Sequence, residues 1–73
     1  MYLKRLKELR EFNNEKQISI ANLLNMKREQ YSRYETGKRD IPLDCLIQLA
    51  DFYNTSTDYL LERTNKKEFT KEK

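Results

Sequence analysis

The 73-residue chain contains no histidine or tryptophan and only one cysteine, one glycine and one proline. With no histidine and Cys45 as the only soft ligand, it cannot assemble a zinc set. A single cysteine also excludes an intramolecular disulfide. So little glycine and proline argues against a fold of hairpins and tight turns, and the expected class is all-α. No apolar run approaches the roughly 18 residues needed to span a bilayer, so no membrane partner is expected. The opening MYLKRLKELR alternates charge with leucine and lacks the apolar core of a secretory leader, which points to a cytoplasmic location. No Gly-rich loop or evident carboxylate pair is present, so neither an enzyme nor a cofactor is expected.

A chain of this length has room for one domain. Its net charge of +3 conceals a strong polarisation. Residues 1–39 hold 10 Lys and Arg against 5 Glu, residues 40–62 hold 5 acids and no base, and residues 63–73 hold 5 bases and 2 acids. Basic charge gathered at one end can face a polyanion while the acidic portion stays clear of it.

Leu3, Leu6 and Leu9 recur at three-residue spacing and predict a first helix over 2–12. Asn13 and Asn14 break it. A second helix is expected over about 17–24, with Ile20, Ala21 and Leu24 on one face and the small Ala21 allowing close approach of the next helix. Asn25, which tolerates a left-handed backbone, marks a sharp turn. The third helix starts near Arg28 and closes at Gly37, the only glycine. Pro42 stands just ahead of a fourth over about 43–53. There Leu43, Cys45, Leu46, Ile47, Leu49, Ala50, Phe52 and Tyr53 cover more than half the circumference, so this helix must be central or line an interface. Asn54 stops it, and Ser56 caps a short fifth helix whose first turn carries Asp58. Residues 1–62 form the expected domain. Residues 63–73 form a charged tail that buries little, frayed or ordered by a partner.

Apolar residues facing each other, a small residue at closest approach and a turn that accepts positive φ are what a helix-turn-helix requires. Ile20, Ala21, Leu24, Asn25, Met26, Tyr31 and Tyr34 fill those places. Together with LKELRE in helix one, Gln17 opening helix two, SRYETGKR closing helix three and LIQLADFYNTSTDYLLER beyond, the pattern resembles the lambda-repressor-like (Xre-type) family of bacterial and phage regulators over about residues 6–62. The resemblance implies a compact five-helix DNA-binding domain with the helix-turn-helix at helices two and three. It also implies that the recognition helix, about 28–36, lies in the major groove of double-stranded DNA.

On a helical wheel Arg28, Glu29, Ser32, Arg33 and Thr36 share one arc, and Tyr31, Tyr34 and Glu35 lie opposite. Arg28 and Arg33 could each make two hydrogen bonds to guanine, Glu29 could accept from cytosine, and Gln30 at the rim could pair with adenine or a phosphate. The expected base-reading set is therefore Arg28, Glu29, Gln30, Ser32 and Arg33. A plain solvated face, with Glu29 and Arg33 paired at i, i+4, would explain part of the same pattern. Gln17, Lys27, Thr36, Lys38 and Arg39 are the expected phosphate contacts. Tyr31 lies near the groove-facing edge, where its hydroxyl could reach a phosphate as well. By the resemblance, Arg10 and Glu35 occupy the places of a structural ion pair between helices one and three. Three residues depart from the family pattern: Glu15 replaces a usual leucine, while Lys16 and Lys27 replace capping Ser or Thr. Phe12 and Ile18 are expected to refill the space at Glu15.

One such module contacts few base pairs, so a homodimer on a palindromic operator, acting as a repressor, is the leading expectation. Helix five, the edge at Cys45 and Phe52, and the tail are its candidate surfaces. The alternatives are an antitoxin-like regulator with a protein partner, and a pure protein-interaction module.

Overall fold

The computed structural model describes residues 1–65. Five helices follow one another: α1 (Lys4–Phe12), α2 (Gln17–Leu23), α3 (Arg28–Glu35), α4 (Leu43–Phe52) and α5 (Thr57–Leu60), with no strand among the described residues. Each begins or ends within a few residues of the expected place. The tail from residue 66 onward lies outside the described residues.

Leu3, Leu6 and Leu9 form one buried stripe, as their spacing requires, and meet Ile20, Ala21 and Leu24 of the second helix and its end. Tyr31 and Tyr34 from α3, Leu46, Leu49 and Ala50 from α4 with Tyr53 at its end, and Leu60 from α5 complete the core. Ala21 is fully buried, and its small side chain leaves room beside α3, with which α2 shares the most extensive helix–helix contact among the described residues. The core, more than the helix ends, holds the fold. Only α5 has a side-chain cap, in which Ser56 Oγ accepts from the Tyr59 amide at 3.0 Å. Each missing cap forgoes about 1 kcal/mol, whereas each fully buried Leu or Ile contributes about 1.5–3 kcal/mol.

The helix ends repeat a single device. After α1, α2, α4 and α5 a left-handed residue follows the last turn: Asn14, Asn25, Asn54 and Glu62, with φ of 58°, 59°, 56° and 62°. In each case the next amide reaches back five residues: Glu15 to Arg10, Met26 to Ala21, Thr55 to Ala50 and Arg63 to Asp58, at 2.8–2.9 Å. These bonds satisfy carbonyls that a helix terminus would otherwise strand. Helix α3 departs from the pattern. Gly37 takes the left-handed place (φ 81°), but the amide that returns to the Arg33 carbonyl is that of Arg39, at 3.2 Å, one residue later than in the other four. Gly37 is required twice over, because a Cβ there would also lie 3.0 Å from Cα and Cβ of Tyr2.

One expectation is corrected. Phe12 and Ile18 do not refill the space at Glu15: they are 74% and 46% exposed. That corner is closed instead by a polar contact, with Arg10 Nη1 donating to the Glu15 carbonyl at 2.9 Å. The broad apolar arc of α4 is divided, with Leu46, Leu49, Ala50 and, at its end, Tyr53 buried, while Leu43, Ile47 and Phe52 remain exposed.

Candidate nucleic-acid interface

The turn between α2 and α3 consists of Leu24, Asn25, Met26 and Lys27, and its sharpness comes from Asn25 in the left-handed region. The outer side of α3 is thereby turned away from the core. Arg28, Glu29, Gln30, Arg33 and Thr36 are exposed there, and Ser32 is half-buried. Lys27, Lys38 and Arg39 are exposed on the flanking segments. Lys27 holds the N-cap position with extended backbone and gives no capping bond, so its ammonium is available to an outside anion. Thr36 is turned back on the helix, its Oγ1 donating to the Ser32 carbonyl at 3.0 Å.

A line of hydrogen bonds runs from this surface into the core. Arg28 Nη1 donates to Gln17 Oε1 at 3.0 Å, and Gln17 Nε2 donates to Glu35 Oε1 at 3.0 Å. Arg10 grips the same carboxylate with two bonds, Nε to Oε2 at 2.6 Å and Nη2 to Oε1 at 3.2 Å. The Glu35 side chain is 3% exposed and that of Arg10 12%. Burial alone would raise the Glu35 carboxyl, but the hydrogen bonds from Arg10 and Gln17 outweigh it and hold the group below the usual carboxylate range. Gln17, read from the sequence as a phosphate contact, thus has both ends of its side-chain amide engaged within the protein. Its place between Arg28 and Glu35 makes it a positioning residue for the first turn of α3. No short-range pattern carries this, because the partners lie 11 and 18 positions away.

The expectation that the Tyr31 hydroxyl could reach a phosphate is overturned. Tyr31 is fully buried with its hydroxyl on the Glu35 side, away from solvent, and burial together with the negative charge of Glu35 pushes its pKa up. The tyrosine that does reach the surface side is Tyr34, whose hydroxyl accepts from Gln30 Nε2 at 3.2 Å. The i, i+4 spacing of these two residues was a signal available in the sequence. Glu29 and Arg33 form no ion pair, although they have the same spacing.

Little else in the described residues offers chemistry. No group of acidic or cysteine side chains could hold a metal ion among them, and none of their helices is long and apolar enough to cross a membrane. Burial and the neighbouring Asp44 push the Cys45 thiol up, so it stays protonated and weakly nucleophilic.

A helix-turn-helix family model matches residues 6–60. The HTH-type transcriptional regulator ImmR of Bacillus subtilis (strain 168) is 45% identical over 58 residues, covering 80% of this chain and 46% of ImmR. AnsR, another HTH-type transcriptional regulator of that organism, is 40% identical over 68 residues, or 93% of this chain and 59% of AnsR. The uncharacterized HTH-type transcriptional regulator YobD is 34% identical over 79 residues, or 94% of this chain and 70% of YobD. The chain therefore spans about half the length of ImmR, and no solved structure matches it. With five helices, a left-handed Asn25 between α2 and α3 and the family match over most of its length, the chain belongs to the lambda-repressor-like (Xre-type) helix-turn-helix family of DNA-binding transcriptional regulators, which are not enzymes.

Proposed function

We propose that the chain binds double-stranded DNA sequence-specifically as a transcriptional repressor, with residues 28–36 in the major groove and two copies on a palindromic operator. The observation that carries this reading is the outer side of α3. Its polar side chains are exposed, while the first of them, Arg28, is held in place through Gln17 by a buried carboxylate. Pre-positioning of this kind lowers the ordering cost that a free arginine would incur on binding. Arg28, Glu29 and Ser32 face base edges. Gln30 and Arg33 lie at the margin of this set, on the side of Tyr34 and Arg39. Lys27 and Lys38 grip phosphates and set the register, while Thr36 keeps its hydroxyl proton on the Ser32 carbonyl.

The second copy sits on the acidic side of the molecule, where Leu43, Ile47 and Phe52 of α4 are exposed. Selection of duplexes from a random pool tests the DNA reading, and an enriched inverted repeat is the expected result. Recovery of no preferred sequence by the intact protein would overturn it. An antitoxin-like role is a second reading, favoured by one observation: Met1, Leu3, Ile41, Leu43, Leu46 and Leu61 line an apolar groove that could seat a protein partner. Co-purification of a neighbouring gene product, bound at that groove and lost on Leu43→Glu substitution, would separate the two.

A further inference from the structure

Six arginines lie among the described residues, and four have partners within the protein. Arg10 pairs with Glu35, and Arg28 bonds Gln17. Arg63 lies 3.9 Å from Asp58. Arg5 stacks over the Tyr59 ring and donates to the carbonyls of Tyr59 and Thr64 and to Asn65. The side chains of Arg33 and Arg39 form no ion pair or hydrogen bond among the described residues. These same two arginines line one polar pocket of about 290 Å³ together with Gln30 and Tyr34.

Two guanidiniums around one cavity repel each other unless something negative lies between them. Among the described residues no carboxylate lines this cavity to do so. The adjacent Asp40 is engaged elsewhere, paired with the amino group of Met1. Tyr34 accepts from Gln30 and retains its own O–H to donate. The fold itself brings Arg39 here: the extra residue in the closing loop of α3 lets the Arg39 amide return to the Arg33 carbonyl. The result is a cradle rich in donors, with the forked geometry that arginine offers to phosphate oxygens. A tetrahedral oxyanion would displace only a few waters of about 30 Å³ each from it.

We propose that Gln30, Arg33, Tyr34 and Arg39 together clamp a single phosphodiester of the DNA backbone beside the recognition helix. This rests on the DNA-binding reading above. It assigns Arg33 and Gln30 to the backbone and leaves Arg28, Glu29 and Ser32 to read sequence.

The test uses the full chain and the duplex that it selects from a random pool, in a set of versions that each carry one neutral methylphosphonate linkage. One linkage per half-site is expected to weaken binding by the unaltered protein roughly tenfold or more, the scale of a lost charge-assisted contact. Arg33→Ala and Arg39→Ala should each weaken the unmodified duplex, and both should lose sensitivity to that same linkage. Their melting temperatures should stay near that of the parent chain, since neither side chain has a partner among the described residues to lose. If Arg33→Ala and Arg39→Ala map to different linkages, or if Arg33→Ala relaxes preference at one base pair and keeps its linkage pattern, the shared clamp is wrong. A cradle that takes inorganic phosphate in solution, while both variants bind the modified duplexes as the parent does, would be a site for free anions and would overturn the proposal equally. If the parent protein selects no duplex at all, the failure belongs to the DNA-binding reading.

Discussion

The two sides of α3 treat charge in opposite ways. On the inner side Glu35 is 4% exposed and receives hydrogen bonds from Arg10 and Gln17, so every charge there is answered within the protein. On the outer side Arg33 is exposed and answered by nothing among the described residues, although Glu29 stands one turn away. Buried charges must be paired because desolvation leaves them no alternative. Exposed ones can remain uncommitted, and uncommitted donors are what a polyanion uses. Charge on this helix serves folding on one side and recognition on the other, with Arg28 tied to both.

The largest effect is expected on the inner side. Glu35→Ala strands the Arg10 guanidinium, and a loss of about 3–5 kcal/mol is expected in urea denaturation; a loss below about 1 kcal/mol would show that the pair is dispensable. The same pair gives a pH test. The Glu35 carboxyl is held below its usual range, so the stability it confers is full above the unfolded carboxyl pKa and disappears as pH falls through the lower folded value. Thermal melts from pH 6 down to pH 2 should therefore fall more steeply for the parent chain than for Glu35→Gln.

From the outside, Arg28→Ala should leave the fold intact and relax preference at one base pair by about 1–3 kcal/mol, read by competition between duplexes differing at that position. A uniform loss on all sequences would move Arg28 to the phosphate class. Gly37→Ala should cost about 1–2 kcal/mol of stability, from the left-handed φ and the contact with Tyr2. It would also loosen the loop that carries Arg39. Smallest is Lys38→Ala, whose signature is a flattening of the log affinity against log salt slope by about 0.9, with stability unchanged.

Much of this arrangement was legible in the sequence because it depends on local preferences. Asn25, Gly37 and Asn54 mark their turns by their tolerance of a left-handed backbone, and Leu3, Leu6 and Leu9 declare a buried stripe by spacing alone. Glu62 did not announce its turn. Glutamate has no such preference, and the Arg63 to Asp58 bond belongs to the same closing motif that Asn supplies elsewhere. At Phe12 apolar character shows what the residue could bury, not whether the fold covers it. The carbonyl of Glu15 was met by an arginine instead. At the candidate site, the wheel gathered Arg28, Glu29, Ser32 and Arg33 correctly on the outer side. It could not show that Gln17 bridges Arg28 and Glu35, or that one extra loop residue brings Arg39 back to Arg33, since both depend on how separate segments meet.

The repeated helix closures bear on how fast the chain finds its shape. Each joins residues three and five positions apart, or three and six at the end of α3, so stopping a helix requires no distant segment to have arrived. Side-chain ties such as those of Arg10 with Glu35 and Arg5 with Tyr59 do span the chain, but most residue contacts among the described residues are local. Chains whose contacts are mostly local fold in microseconds to milliseconds, because little loop entropy is lost before contacts compensate. By this topology the recognition helix can be rebuilt within milliseconds of unfolding, and the interval during which its apolar side lies open to aggregation or proteolysis is correspondingly brief.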